Sequence, residues 1–198
     1  YSMGYFEDVR IETETGPGGK TIIFWVKEKP TIRKVRFKGN RILDNDELKE
    51  GLNISTGSIL NIFKIRNDIE WMENLYKDKN YQNVKISYEV LPLKRNQADL
   101  EFTIIEGQKV RIKSITFEGN SVFTDKKLKK VMKTSEKGYF SWLTSSGELN
   151  QEDLTQDIAK IAAFYHNAGH NRARVREPEI RYEDAWIYLT IKIHEGPR

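Results

Sequence analysis

Apolar positions along this chain follow two periods, and the order in which the periods change is written twice. After Pro30, Val35 and Phe37 share one face of a short strand that stops at the turn signal Gly39-Asn40. Asp44 with Glu47 three residues on predicts a capping box. It opens a helix whose apolar stripe is Leu48 and Leu52. After Asn61, the residues Ile65, Ile69, Met72 and Tyr76 fall at offsets 0, 4, 7 and 11, the spacing of a second, longer helix. The period then switches to two. Val84, Ile86, Tyr88 and Val90 alternate with polar residues, so this strand buries one face only. Pro92 to Gln97 reads as a turn, and Leu100, Phe102 and Ile104 as the last strand.

The same plan returns in the second half. Ile32-Arg33-Lys34-Val35-Arg36-Phe37-Lys38-Gly39-Asn40 is echoed 80 residues later by Ile112-Lys113-Ser114-Ile115-Thr116-Phe117-Glu118-Gly119-Asn120. A repeat decides the fold before any single element does. Thr124 is the expected cap of a first helix carrying Leu128 and Val131. Asn150 caps a second helix with Leu154, Ile158, Ile161 and Tyr165 at the same offsets as before, ended by Gly169. Ile187, Leu189, Ile191 and Ile193 alternate along a final strand.

Helix stripes and strand faces can be buried only against each other. The expected fold is α+β: tandem β-α-α-β-β units, each a three-stranded mixed sheet covered on one face by two antiparallel helices. The units are 30–107 and 108–196, and 1–29 is the C-terminal hairpin of a truncated unit. The joints Pro30, Gly107 and Gly196 leave almost no linker between them. A lone hairpin is marginal in water. Ile22 to Val26 is apolar on both faces, so the hairpin is expected to meet another surface, either the neighbouring unit or a second copy of the chain.

Composition narrows the chemistry. No run approaches the roughly 20 apolar residues of a membrane-spanning helix. Tyr1 is not a natural start, so the chain is expected to be a piece of a mature protein. The absence of cysteine removes disulfides, thiolate metal sites and cysteine nucleophiles. His166 and His170 have the i, i+4 spacing of a metal pair, but Gly169 between them ends the helix and separates them. His194 lies on the outward face of its strand. Glu152 and Asp153 sit in a first helical turn, where negative charge is favourable without any catalytic role. Gly16 to Gly19 links two strands rather than opening a helix, so it is no phosphate loop. The reading is therefore not an enzyme, with no catalytic residue, no cofactor and no metal.

With repeat and joints in view, the chain resembles the POTRA domains of the outer-membrane β-barrel assembly family over essentially its whole length. The resemblance is carried by Gly4-Tyr5-Phe6-Glu7-Asp8-Val9-Arg10, by Val26-Lys27-Glu28-Lys29-Pro30-Thr31-Ile32, by Phe37-Lys38-Gly39-Asn40, and by Pro92-Leu93-Lys94-Arg95-Asn96 with Asp99-Leu100. Gly138-Tyr139-Phe140-Ser141-Trp142 resembles the aromatic-bearing loop of the family's third domain. Asn80 and His170 depart from the family, which commonly has glycine and an aromatic there. The resemblance implies the end of a first POTRA domain followed by a complete second and third. It also implies a periplasmic receptor and scaffold at the outer membrane of a diderm bacterium, which meets unfolded outer-membrane proteins and docks accessory lipoproteins.

The candidate chemistry for that role is backbone, not side chain. An unpaired strand edge accepts an extended peptide as a further strand and tolerates many sequences. The candidate edges are 84–90, with Val84, Ile86, Tyr88 and Val90, and 174–181, where Arg172, Arg174 and Arg176 line one face and Ala173 and Val175 the other. Charges at an edge also discourage aggregation, and both roles hold together. Tyr139, Phe140 and Trp142 are either an exposed partner-binding loop or a cluster folded over the helix ends. Lys109, Arg111, Lys113, Lys126, Lys127, Lys129, Lys130 and Lys133 form a basic stretch that is a solvated face, a surface for lipid headgroups or an acidic partner, or a nucleic-acid contact. No stacking aromatics are interleaved with those lysines, so nucleic acid is not the favoured partner.

Overall fold

The computed structural model describes residues 4–196 apart from Trp142 and Ser145. It divides into two compact units, one holding 4–77 and 83–107, the other 78–82 and 108–196.

The first unit begins with an antiparallel hairpin, β1 (Phe6–Gly16) and β2 (Gly19–Glu28), closed at Pro17-Gly18. Val9, Ile11, Ile22, Phe24 and Val26 face one way, because Val9 pairs with Val26, Ile11 with Phe24 and Thr13 with Ile22. Ile11, Ile22, Phe24 and Val26 are exposed, as is Trp25 on the other face. The rest of the unit therefore leaves these side chains of the ribbon uncovered. Next come β3 (Thr31–Lys38), α1 (Asn45–Glu50), α2 (Ile62–Asp78), β4 (Lys85–Leu93) and β5 (Gln97–Ile105). The sheet order is β3-β5-β4, with β3 parallel and β4 antiparallel to β5.

The second unit repeats this with β6 (Arg111–Glu118), α3 (Asp125–Lys129), α4 (Gln151–Asn167), an outer strand in two pieces, β7 (Arg174–Val175) and β8 (Glu179–Glu183), and β9 (Trp186–His194). β6 lies parallel to β9, and β7 and β8 antiparallel to it. Ile112, Ile115, Phe117, Ile187, Leu189 and Ile191 pack with Leu128, Leu154, Ile161 and Tyr165 of the helices in one core.

Three devices recur in both units. The first is the Gly-Asn pair after the opening strand. Gly39 and Gly119 hold φ of +86° and +81°, where a Cβ would lie 2.2 Å from the carbonyl oxygens of Ile104 and Ile193 respectively. The neighbouring Asn40 donates to Leu43 O and Asn45 Oδ1, and Asn120 donates to Phe123 O and Asp125 Oδ1.

The second is a buried aspartate. Asp68 accepts from the backbone of Asn53 and Ile54, and Asp157 from the backbone of Lys133 and Thr134. Each carboxylate ties the long helix to the chain leaving the short one. The third is a tyrosine–glutamate pair. Tyr76 and Tyr165 donate to Glu106 and Glu195, at 3.0 and 2.9 Å, each across 30 residues. Glu106 also accepts from Arg41 and Ile42 N, and Glu195 from Val122 N. Burial, then the bond to its glutamate, pushes each phenol above its ordinary range. Tyr165→Phe is expected to cost about 2 kcal/mol in urea unfolding of the second unit, the net worth of one hydrogen bond to a charged group.

Several elements differ from the sequence reading. Both short helices end early. Leu52 lies beyond α1, whose C-cap is Gly51, and Val131 lies beyond α3. Thr124 stands at the N-cap of α3 but makes no side-chain cap bond, whereas Asp44 forms the capping box and Asn150 caps α4. Pro92 is not in the turn but inside β4, opposite Ala98. An edge strand tolerates a residue without N–H. The turn is 94–96, with Arg95 and Asn96 both at positive φ. Asn80 has a φ of +69°, a conformation asparagine tolerates nearly as glycine does. Its buried amide donates to Leu149 O and accepts from Leu149 N.

Candidate peptide-binding edges

In both units the strand that leaves the fold is central, so the two outer positions go to the first strand and to the strand that starts the hairpin. The outer rim of the first strand is partly used by its own loops. Ile32 N donates to Ser58 O, and Gly57 N to Ile32 O. In the other unit Ile112 N donates to Gly147 O, Lys137 N to Ile112 O, and Ile115 N to Glu136. The opposite rims, along β4 and along β7–β8, have no strand beside them among the described residues.

The two rims are not alike. β4 runs in unbroken register from Lys85 opposite Ile105 to Leu93 opposite Gln97. Ile86, Tyr88 and Val90 lie opposite the buried Ile104, Phe102 and Leu100, on the core face. Val84 is buried just before the strand starts. The rim of the second unit is broken. Val175 pairs with Ile193 and Arg176 N donates to Lys192 O, but Glu179 already pairs with Thr190. Glu177 and Pro178 are left opposite Ile191 alone, a β-bulge. The single edge strand expected over 174–181 is therefore two short ones.

Arg174 stands opposite His194, and Arg172, Arg174 and Arg176 are all exposed. Ala173 is buried and Val175 half-buried. A groove of about 990 Å³ follows this rim, lined by His166 at the end of α4, by Asn171 to Arg176, and by His194 and Gly196. Lys192, the next cation on that face, is occupied by Glu179 and Glu118. Among the described residues, no carboxylate pairs with Arg172, Arg174 or Arg176.

Other sequence candidates separate. Tyr139 is 92% and Phe140 60% exposed, in edge contact with each other, so these two do not fold over the helix ends. Leu143, which the sequence did not single out, is exposed beside them, and Trp142 lies outside the described residues. The basic stretch is not one face. Lys109 pairs with Glu148, Lys129 with Glu136 and Lys133 with Asp153, while Lys127 sits 4.6 Å over the Phe123 ring. His166 is exposed and meets the carbonyl of Ala173, whereas His170 is buried against Phe123 and Tyr165. The joints hold positive φ at Gly107 and Gly196.

The family model for POTRA, the surface antigen variable number repeat, matches residues 30–107 and again 110–196. The chain belongs to the POTRA family. Over its whole length it is 34% identical to the outer membrane protein assembly factor BamA of Neisseria meningitidis serogroup B, and 31% to that of Nitratidesulfovibrio vulgaris. It spans 25% of the length of each of these relatives. Among solved structures, it is similar to the N-terminal domain of Omp85 from Thermosynechococcus elongatus, with a TM-score of 0.44, 19% identity, and 97% of this chain and 77% of that one covered. It is also similar to POTRA3-5 of Haemophilus influenzae BamA, with a TM-score of 0.45, 17% identity, and 85% and 67% covered.

POTRA repeats of such assembly factors are scaffold domains on the periplasmic side of the outer membrane of diderm bacteria, and these repeats lie there. Within this POTRA pair, the residues missed from the sequence are those whose role depends on distant partners. Asp68 and Asp157 interrupt apolar stripes at the same place in both copies, and Glu106 and Glu195 precede both joint glycines. That coincidence between copies is the signal that could have found them.

Proposed function

We propose that this POTRA pair is a receptor and scaffold of an outer-membrane β-barrel assembly factor. It holds unfolded outer-membrane proteins by adding a client strand to the open rims, and it offers the exposed Tyr139–Phe140 loop to an accessory lipoprotein. The observation that carries the first half is the rim of β4, nine residues in unbroken register with no strand beside it among the described residues. A client strand laid there would bond main chain to main chain, so affinity would not depend on one client sequence. For a factor that receives many barrels, that tolerance is the useful property. No step in this role needs catalysis or a cofactor.

The test uses a synthetic peptide of about ten residues with alternating valine and threonine. Alternate N–H groups of β4 point toward β5 and away from it. Proline scanning over 86–89 is therefore expected to give two classes. Inward positions lower stability, while outward positions keep the melting temperature and weaken peptide binding at least about tenfold. Methylating the peptide's own amides on one side should weaken binding to the unaltered chain equally. If the outward prolines and the N-methylated peptide both bind as the originals do, strand addition at β4 is wrong.

A further inference from the structure

The bulge changes what the second rim can do. Pro178 has no N–H to offer, and the ladder beside β9 is only Arg174–Val175 before the register shifts. A peptide added at β7 gains few main-chain bonds, so its side chains must supply more of the affinity. The side chains waiting there are three exposed guanidiniums at every second residue, with no carboxylate partner among the described residues. We propose that the β7 rim selects extended client segments carrying carboxylates at alternate positions, read by Arg172, Arg174 and Arg176. This rests on the strand-addition reading above and adds to it the chemistry of the client.

The spacing fits. Alternate residues of a strand lie about 6.6 Å apart on one face. A strand added beside 174–176 would set its own alternate residues against Arg174 and Arg176, within the roughly 5 Å reach of a direct cross-strand pair, with Arg172 in the turn just before β7 as the third cation of the row. Guanidinium matches carboxylate as a two-toothed fork, a geometry that lysine lacks. The same row of uncompensated charge repels cationic strands, so selectivity comes from repulsion as well as attraction. Ala173 and Val175 face the other way, into the core, so within 172–176 the three arginines are the side chains left open to a client. No Phe, Tyr or Trp lines the groove, so stacking on bases is not what it offers. The two units thus divide the work, with a permissive rim at β4 and a selective one at β7.

The test compares three labelled peptides of about ten residues with the same alternating valines, the remaining positions all Glu, all Gln or all Lys. At about 0.05 M salt the Glu peptide is expected to bind the chain about tenfold more tightly than the Gln peptide, and the Lys peptide more weakly than either. The preference should collapse at about 0.5 M salt. The triple variant Arg172→Gln/Arg174→Gln/Arg176→Gln should lose it with an unchanged circular-dichroism melt. The control Lys126→Gln/Lys130→Gln, which removes exposed cations elsewhere, should keep it.

Equal binding of the three peptides to the unaltered chain overturns the acidic selection while leaving strand addition standing. Binding of none of them overturns both. A preference lost equally in the α3 control shows a general charge effect and overturns the assignment to the rim. Phosphatidylglycerol vesicles that bind through the three arginines, with no peptide preference, would make this a lipid-facing surface instead.

Discussion

Gly119→Ala is expected to lower the stability of the second unit by about 3 kcal/mol, enough to unfold a marginal domain of this size. Two costs act together. Alanine at a φ of +81° is strained by roughly 1–2 kcal/mol. Its Cβ would also stand 2.2 Å from the backbone carbonyl oxygen of Ile193, where no side chain can swing aside. Relief requires moving the end of β9, the central strand. The measurement is urea unfolding followed by hydrogen exchange, which reports each unit separately. Exchange should speed up in 108–196 and not in β3–β5. The matching Gly39→Ala should invert that pattern, because its Cβ meets Ile104 O at the same distance. A cost below about 1 kcal/mol for either would mean that the Gly-Asn turn is not a fixed point of the fold.

Asp157→Ala is expected to cost about 3 kcal/mol, because it strands buried donors that have no other partner. Asp157 is fully buried. Burial works against its charge, but bonds from the backbone of Lys133 and Thr134 and from Lys160 Nζ outweigh it and hold its carboxyl below the ordinary carboxylate value. A depressed folded-state value fixes the sign of the pH dependence. The contribution is complete above the unfolded-state value of about 4 and is lost as the pH falls through the lower folded-state value. Stability of the second unit should therefore drop steeply below about pH 4 in the unaltered chain and more shallowly in Asp157→Ala. A variant with the same acid profile as the parent would show that this carboxylate does not hold α4 to the 133–134 segment.

Sequence pattern revealed the long elements and blurred the short ones, for physical reasons. α2 and α4 repeat their apolar residues over three turns behind asparagine caps, a signal that few other structures produce. α1 and α3 were read too long because Leu52 and Val131 continue the helical spacing after the backbone has left the helix. Pro92 misleads in the other direction, because proline ends a central strand but not an outer one. The strand break at Glu177-Pro178 had one local signal, the proline, but the shift in register that makes it a bulge follows from pairing with β9. The arginine row was visible as alternation. Its lack of acidic partners was not, because ion pairing is decided by what the fold brings alongside. Tyr139 and Phe140 could have stood outward or folded inward on hydrophobicity alone, and the loop geometry settled it.

The strand entering each unit and the strand leaving it lie side by side and point the same way. Tension applied along the chain through the joints would therefore slide one strand past the other. Every hydrogen bond between them would carry load at once, and they could not open one at a time as a hairpin does. A pull through the joints therefore shears each unit, whereas a pull on an outer rim passes through that rim strand's own pairing and does not share this geometry.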